Sequence, residues 1–120
     1  MGFLFDIYRN MEMNKAIGAL AALAQASRLA LFRLLVQAGP EGLAAGQIGA
    51  ALNLRGATLS FHLNQLRVAG LIACRREGRS LIYSAEFPAM NALLAYLTEN
   101  CCQGEQSCAP AAFCQTGDAA

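Results

Sequence analysis

The sequence lacks the long apolar segments that would indicate a membrane protein or a secreted protein. No stretch of its 120 residues approaches the roughly 18 consecutive apolar residues that a membrane-spanning helix requires. The opening residues MGFLFDIYRN contain Asp6 and Arg9, so they do not form the uninterrupted apolar run of a secretory signal. We therefore expect a single-domain, cytoplasmic protein that has no membrane partner.

Signatures of catalysis are also missing. There is no Cys-x-x-Cys pair and no glycine-rich phosphate-binding loop, and His62 is the only histidine. We therefore expect no enzyme activity and no catalytic cofactor. The five cysteines are an odd number, and thiols stay reduced in the cytoplasm. They indicate metal or redox chemistry rather than a framework of disulfides.

Positive charge is absent from the last third of the chain and concentrated in the segment before it. Residues 80–120 contain four acidic residues and no Lys or Arg, whereas residues 55–79 contain five arginines and one glutamate, a net charge of +4. A concentrated basic segment favours a polyanionic partner such as nucleic acid. A solvated charged loop is the alternative interpretation.

Helical spacing of apolar residues predicts four helices between Met13 and about Ala69. The first covers Met13 to Leu23, and the second follows Ser27 as its N-cap and ends near Gln37. A break at residues 39–42 precedes two further helices, from Ala44 to Leu52 and from Gly56 to about Ala69. Because only three residues separate these last two helices, they predict a helix-turn-helix.

The fourth predicted helix has one apolar side and one polar side. Leu59, Leu63 and Leu66 define the core side. The other side and its margin carry small and polar residues and one aromatic residue, Phe61, and would fit a major groove about 12 Å wide. Together with Arg55, these residues are the predicted DNA-binding set on this helix: Ala57, Thr58, Ser60, Phe61 and Asn64. For Phe61, packing against the wing or a partner is the alternative. His62 is expected to be a hydrogen-bonded structural residue, with DNA contact as its alternative.

A β-hairpin is predicted after the helix-turn-helix. Its arms run from Leu71 to Arg76 and from Ser80 to Ala85, and Gly78 supplies the turn. Arg75, Arg76 and Arg79 near the tip would contact phosphate or the minor groove, which makes the hairpin a wing. Cys74 in the first arm is expected to be an inert buried thiol.

The last predicted helix opens at Phe87-Pro88 and carries an apolar stripe. In a domain this small, such a stripe covers the protein's own core or pairs with a second copy, and we expect a homodimer formed by this helix and the first. The predicted fold is mainly α with a β-hairpin wing, a homodimeric winged helix-turn-helix. Residues 1–12 would be an N-terminal extension, 13–100 the DNA-binding and dimerisation domain, and 101–120 a cysteine-containing tail.

Three stretches of the sequence resemble the ArsR/SmtB family of dimeric winged-helix repressors: ALAQASRLALFRLL, ATLSFHLNQLRVAGLI and RREGRSLIYS. The resemblance implies a transcriptional repressor that binds double-stranded operator DNA as a dimer and releases it on binding metal or metalloid ions. Two of the family's sensing sites are missing. Ala44 and Gly46 occupy the thiol positions of the frequent arsenic motif, and residues 86–99 contain no His or Asp for the zinc site.

The remaining candidates for a sensing site are Cys101, Cys102 and Cys108. A continuous helix would separate Cys101 from Cys108 by about 10.5 Å, whereas thiolates sharing one ion lie at most about 4.6 Å apart. The chain must therefore fold back, which Asn100 and Gly104 permit. Three thiolates suit trivalent arsenic or antimony as an inducer. With Cys114 as a fourth ligand, zinc or cadmium is an alternative, and thiol oxidation or persulfide sensing is another.

Overall fold

Residues 11–104 are described in the computed structural model of this protein. In chain order the elements are α1 (Met13–Leu23), α2 (Ala26–Ala38), β1 (Leu43–Ala44), α3 (Ala45–Leu52), α4 (Gly56–Val68), β2 (Ile72–Glu77), β3 (Ser80–Ala85), α5 (Phe87–Leu97) and a 3₁₀ turn (Cys101–Gly104). The strands form one antiparallel sheet in the order β1-β3-β2. These elements confirm the predicted winged helix-turn-helix.

The helices enclose one core beneath the sheet. Helix α2 contacts α3, α4 and the strand β3 there, α3 also contacts β3, and α4 contacts β2. Among residues 11–104, 14 apolar residues are buried in this core, and the largest fully buried side chains are Leu31, Leu35, Ile48, Leu66 and Leu71. Since these side chains come from α2, α3, α4 and the start of the wing, burying them fixes the helix-turn-helix against the hairpin.

The start of α2 differs from the prediction. The helix begins at Ala26, and the N-cap is Gln25, whose side-chain oxygen accepts a hydrogen bond from the Arg28 backbone N–H at 2.9 Å. Ser27 therefore lies inside the first turn and is not the cap. A glutamine reaches an orphan N–H as a shorter cap does, although sequence preferences favour Ser at this position.

The strand β1 was not predicted. Leu43 pairs with Tyr83 and Ala44 with Ile82, so two residues of the loop before α3 extend the hairpin into a three-stranded sheet. Gly42, at φ +73°, allows this pairing because a Cβ atom there would collide with the Tyr83 carbonyl oxygen. Two residues carry too little periodicity to be recognised as a strand from sequence.

One left-handed residue and one backbone hydrogen bond keep the turn between α3 and α4 short. Asn53 takes the left-handed conformation at φ 57° and ψ 44°, and the Leu54 N–H donates to the Gly49 carbonyl oxygen at 3.0 Å. Gly49 also lets the helices approach closely: a Cβ atom there would lie 2.6 Å from the Leu54 oxygen and 3.1 Å from a Leu59 methyl. This turn sets the position of α4 relative to α3.

Helix α1 buries its alanines and exposes its larger apolar residues. Ala16, Ala19 and Ala22 are at most 6% exposed, whereas Ile17 is 55% exposed. Helix α5 packs against α1 and also leaves large apolar side chains in solvent. We define the α1–α5 apolar face by these exposed residues: Met13, Ile17, Leu20, Leu94 and Leu97.

Within residues 11–104, no single helix is long and apolar enough to span a membrane. Helices α1 and α2 meet the requirement for length and composition only as a pair, and the chain bends by 101° between them.

We expect Gly49→Ala to lower the free energy of unfolding by about 1 to 3 kcal/mol, because the new methyl group must displace the Leu54 backbone. Gly46→Ala is the matched control on the same helix. No atom lies within 4 Å of a Cβ there, so this change should raise stability by about 0.5 to 1 kcal/mol. Urea unfolding followed by circular dichroism measures both. Equal effects of the two substitutions would contradict the close helix approach.

Candidate nucleic-acid interface

Helix α4 separates its residues into two faces as its sequence predicts. Leu59, Leu63 and Leu66 are buried in the core, with exposures of 9%, 4% and 0%. The whole predicted DNA-binding set is exposed: Arg55, Ala57, Thr58, Ser60, Phe61, Asn64, Arg75, Arg76 and Arg79. The core packing therefore leaves a surface of small, polar and basic residues open to a ligand, and DNA contact by each residue stays a prediction.

Two side chains on this surface have defined neighbours. Phe61 is 54% exposed, and its ring centroid lies 5.6 Å from that of His62 with the planes tilted by 60°. The Asn64 side-chain oxygen accepts a hydrogen bond from Arg67 Nη2 at 3.3 Å. This bond uses the amide oxygen of Asn64, and among residues 11–104 the amide nitrogen makes no hydrogen bond.

His62 is buried at 8% exposure and is linked to Arg28 of α2. Arg28 Nη1 lies 3.3 Å from His62 Nδ1, and Arg28 Nε donates to the Ala22 carbonyl oxygen at 2.6 Å. A guanidinium only donates, so Nδ1 must accept and the neutral imidazole carries its proton on Nε2. Burial, and secondly the Arg28 charge, lower the pKa of His62. His62 thus has the hydrogen-bonded structural position predicted for it.

The wing arginines have different surroundings. Arg75 Nε pairs with a Glu77 carboxylate oxygen at 2.8 Å, and Arg75 Nη2 donates to the Glu41 carbonyl oxygen at 2.8 Å. Arg75 therefore fastens the hairpin to the loop before β1. Arg76 and Arg79 make no side-chain hydrogen bond or ion pair within the described part of the chain. The N–H donors of these two guanidinium groups are therefore the ones on the wing that could bind phosphate.

Cys74 is half-buried, whereas the sequence led us to expect a buried thiol. It lies opposite Tyr83 in the β2–β3 register. Burial, together with a hydrogen bond to Cys74, raises the pKa of Tyr83. The strand alternation places Cys74 on the covered face, but the hairpin extends beyond the core and leaves that face partly open.

Cys101 and Cys102 follow the end of α5. Helix α5 already ends at Leu97 with Thr98 as its C-cap, before the predicted exit at Asn100. Asn100 (φ 58°) and Cys102 (φ 53°) have left-handed backbone conformations in the segment beyond it. The two sulfurs lie 3.7 Å apart, with Cys101 donating, and Cys102 is disulfide-bonded. Cys108 and Cys114 lie outside the described residues. Among residues 11–104 no three His, Cys, Asp or Glu side chains are placed together as metal ligands.

A helix-turn-helix with an exposed polar helix face, followed by a basic hairpin, defines the winged-helix class of DNA-binding proteins. Residues 23–75 match the helix-turn-helix domain family. The transcriptional activator HlyU of Vibrio cholerae is 31% identical over 100 residues, which are 82% of this chain and 90% of that protein. The chain belongs to the ArsR/SmtB family of winged-helix transcriptional regulators, whose members are not enzymes.

The chain is also similar to other regulators and to solved structures of this fold. The regulator YceK of Bacillus subtilis is 42% identical over 59 residues, 49% of this chain and 58% of that protein. A structure of Vibrio cholerae HlyU is 35% identical with a TM-score of 0.57, covering 78% of this chain and all of that one, and a further structure is described as reduced HlyU. The homodimeric winged-helix domain of Mb0332 from Mycobacterium bovis is 25% identical with a TM-score of 0.57, covering 78% and 86%.

We expect the stability of the protein to fall as the pH drops below about 6.5. The folded state keeps the pKa of His62 below the ordinary value, so in that window the unfolded chain binds the proton more readily and unfolding is favoured. Well above pH 6.5 the imidazole is neutral in both states and the contribution is constant.

Urea unfolding at pH 7.5, 6.0 and 5.0 measures this effect, and an NMR titration of the single histidine gives its folded pKa directly. His62→Gln keeps an acceptor for Arg28 but does not titrate, so its stability should lose this part of the pH dependence. A His62 pKa at or above 6.5 would contradict the burial argument.

Proposed function

We propose that this protein is a homodimeric transcriptional repressor that binds operator DNA through α4 and the wing, and releases it when trivalent arsenic or antimony binds the tail thiolates. The observation that carries the DNA-binding part is the exposed face of α4 flanked by the arginines of the hairpin. Because the proposed target is the cell's own operator DNA, the proposal also places the protein in the cytoplasm.

The proposed role of each residue, contact with base edges or contact with phosphate, follows from the chemistry of its side chain. Thr58, Ser60 and Asn64 offer hydroxyls and an amide for base edges, and Phe61 offers an apolar edge for a thymine methyl. Arg76 and Arg79 carry charge without a base-specific geometry, so they would bind phosphate and set the position of the wing. Arg55, directly before α4, would contact phosphate at the groove edge.

The α1–α5 apolar face supports the homodimer. Its five large apolar residues are between 41% and 63% exposed in the single chain and lie on two helices that pack together. Large apolar residues exposed in this way favour an interaction site. Mb0332, which shares this fold, is described as homodimeric. A two-fold dimer would present two α4 helices to successive major grooves, about 34 Å apart along the duplex.

The inducer site rests on the position of the paired cysteines. The Cys101 and Cys102 sulfurs, 3.7 Å apart, are already within the distance of about 4.6 Å that two thiolates on one ion allow. Trivalent arsenic or antimony takes three sulfurs, and Cys108 is the proposed third. The ion would bind thiolates, so the site would take it up only in the reduced protein. The ion would serve as inducer and not as a catalytic cofactor.

The placement of the thiols favours an indirect effect on DNA. They follow α5, which carries part of the α1–α5 apolar face, so a metalloid that folds the tail would act on the dimer interface. A change in that interface alters the spacing of the two α4 helices. Couplings of this kind typically change affinity by about 5- to 150-fold.

Arg76→Ala should weaken binding to operator and to unrelated duplexes by a similar factor, and should lower the steepness of the salt dependence by about 1, because one phosphate contact is lost. Asn64→Ala should instead weaken operator binding selectively. Fluorescence anisotropy on both duplexes between 50 and 200 mM salt measures this.

Arg33→Ala is the charge-matched control for this comparison, since Arg33 is exposed on α2 and lies outside the basic segment. Sedimentation of each variant should show a dimer. Equal losses for Arg33→Ala and Arg76→Ala would mean that the wing does not bind DNA, and a monomer at all concentrations would refute the dimer.

Cys102→Ser should leave the DNA affinity of the reduced protein unchanged and abolish release by arsenite, because two thiolates cannot hold the ion as three do. Cys74→Ser in the wing is the control and should release DNA as the wild type does. Anisotropy titrations of the reduced protein with arsenite, antimonite, zinc and cadmium measure the response. Normal release by Cys102→Ser would eliminate the tail site.

Thiol oxidation is the second candidate signal. Cys102 is disulfide-bonded, and one of the solved relatives is described specifically as reduced HlyU. If oxidation is the signal, DNA affinity should change between reduced and oxidised wild type while arsenite has no effect. A reporter gene under the operator decides between repression and activation, which matters because the relative HlyU is named an activator.

A further inference from the structure

Arg28 joins three helices at one guanidinium. The residue lies in the first turn of α2, where its backbone N–H bonds the Gln25 cap, and its side chain leaves α2 toward two other elements. Nε donates to the Ala22 carbonyl oxygen in the last turn of α1 at 2.6 Å. Nη1 meets His62 Nδ1 on α4 at 3.3 Å.

The same guanidinium also meets the aromatic ring on the exposed face of α4. The Arg28 carbon Cζ lies 6.0 Å from the Phe61 ring centroid, at the outer limit of a cation–π contact. The Phe61 ring in turn packs at 60° against the His62 ring. Phe61 therefore touches two groups that are themselves fixed, one by the end of α1 and the other by burial in the core.

A half-exposed phenylalanine without neighbours would sample several rotamers. If DNA binding needs one of these rotamers, ordering the side chain on binding lowers the affinity. Here the His62 ring packs against the Phe61 ring at a tilt of 60°, and a cation lies beside it. We propose that Arg28 is a positioning residue for the DNA-binding surface, which holds Phe61 in its binding orientation through His62 and ties that orientation to the end of α1.

The chemistry of the contact requires an arginine. The planar fork donates from Nε and Nη1 in two directions at once, whereas a lysine ammonium cannot reach both acceptors with the same geometry. His62 must accept, so it must be neutral, and its burial beside a permanent cation ensures this. The arrangement therefore depends on the pair and not on positive charge alone.

This inference rests on the proposed DNA-binding function, and a double-mutant cycle on the full-length protein tests it. Arg28→Lys should weaken operator binding about tenfold in the wild-type background, on the scale of one lost directional contact. In a Phe61→Ala background the same substitution should cost less than about twofold, because there is no longer a ring to orient. Arg33→Lys, on the same helix, is the control and should have no effect in either background.

A second readout reports the orientation without DNA. In Arg28→Lys the ring resonances of Phe61 and His62 should shift and broaden, whereas in Arg33→Lys they should remain those of the wild type. If Arg28→Lys unfolds the protein, His62→Asn replaces it in the cycle. That variant removes the imidazole and leaves the Arg28–Ala22 bond, and it should show the same dependence on Phe61.

Equal losses of affinity for Arg28→Lys in the two backgrounds would overturn the inference, since Arg28 would then act on folding or charge and not through Phe61. Unchanged ring resonances would overturn it as well. A wild-type protein that binds no duplex DNA would instead refute the proposed function, and in that case the ring resonances alone would decide whether Arg28 orients Phe61.

Discussion

The burial of one side of α4 is the constraint on which the rest of the molecule depends. Leu59, Leu63 and Leu66 enter a core built from α2, α3 and the start of the wing, and this fixes both the rotation of α4 and the residues it exposes. Gly49 and Asn53 make the approach of α3 close enough for that packing. The polar face of α4 is thus a consequence of apolar burial, and it needs no separate interaction to be presented.

The two proposed functional regions lie on different elements. The proposed DNA-binding surface is on α4 and the hairpin, whereas the cysteine pair follows α5, which shares an apolar face with α1. Any signal from the thiols to the DNA must therefore pass through helix positions. Arg28 links two of these helices, because it bonds the last turn of α1 and also the buried histidine of α4. A bistable dimer interface would be the element that both sites bias.

Elements with strong periodicity were predicted correctly from the sequence. The prediction failed where one specific side-chain or backbone contact determined the local structure. The bounds of α1, α4 and the hairpin arms agree with prediction to within one residue. The cap of α2 was wrong because the Gln25 side chain reaches Arg28, and β1 was missed because Tyr83, some 40 residues away, completes it. Likewise the sequence places Arg75 near the tip of the wing, but its guanidinium is engaged by the Glu41 carbonyl oxygen and the Glu77 carboxylate.

The sequence by itself determined the order of the helices, the two faces of α4, the basic hairpin and the gathering of thiols after α5, since each follows from local spacing or residue type. Only the tertiary structure decided that alanines, and not Ile17 and Leu20, turn α1 toward the core, and that Arg28 and His62 meet. Both depend on how closely helices approach and on which residues become neighbours, and neither property is contained in the periodicity of a single segment.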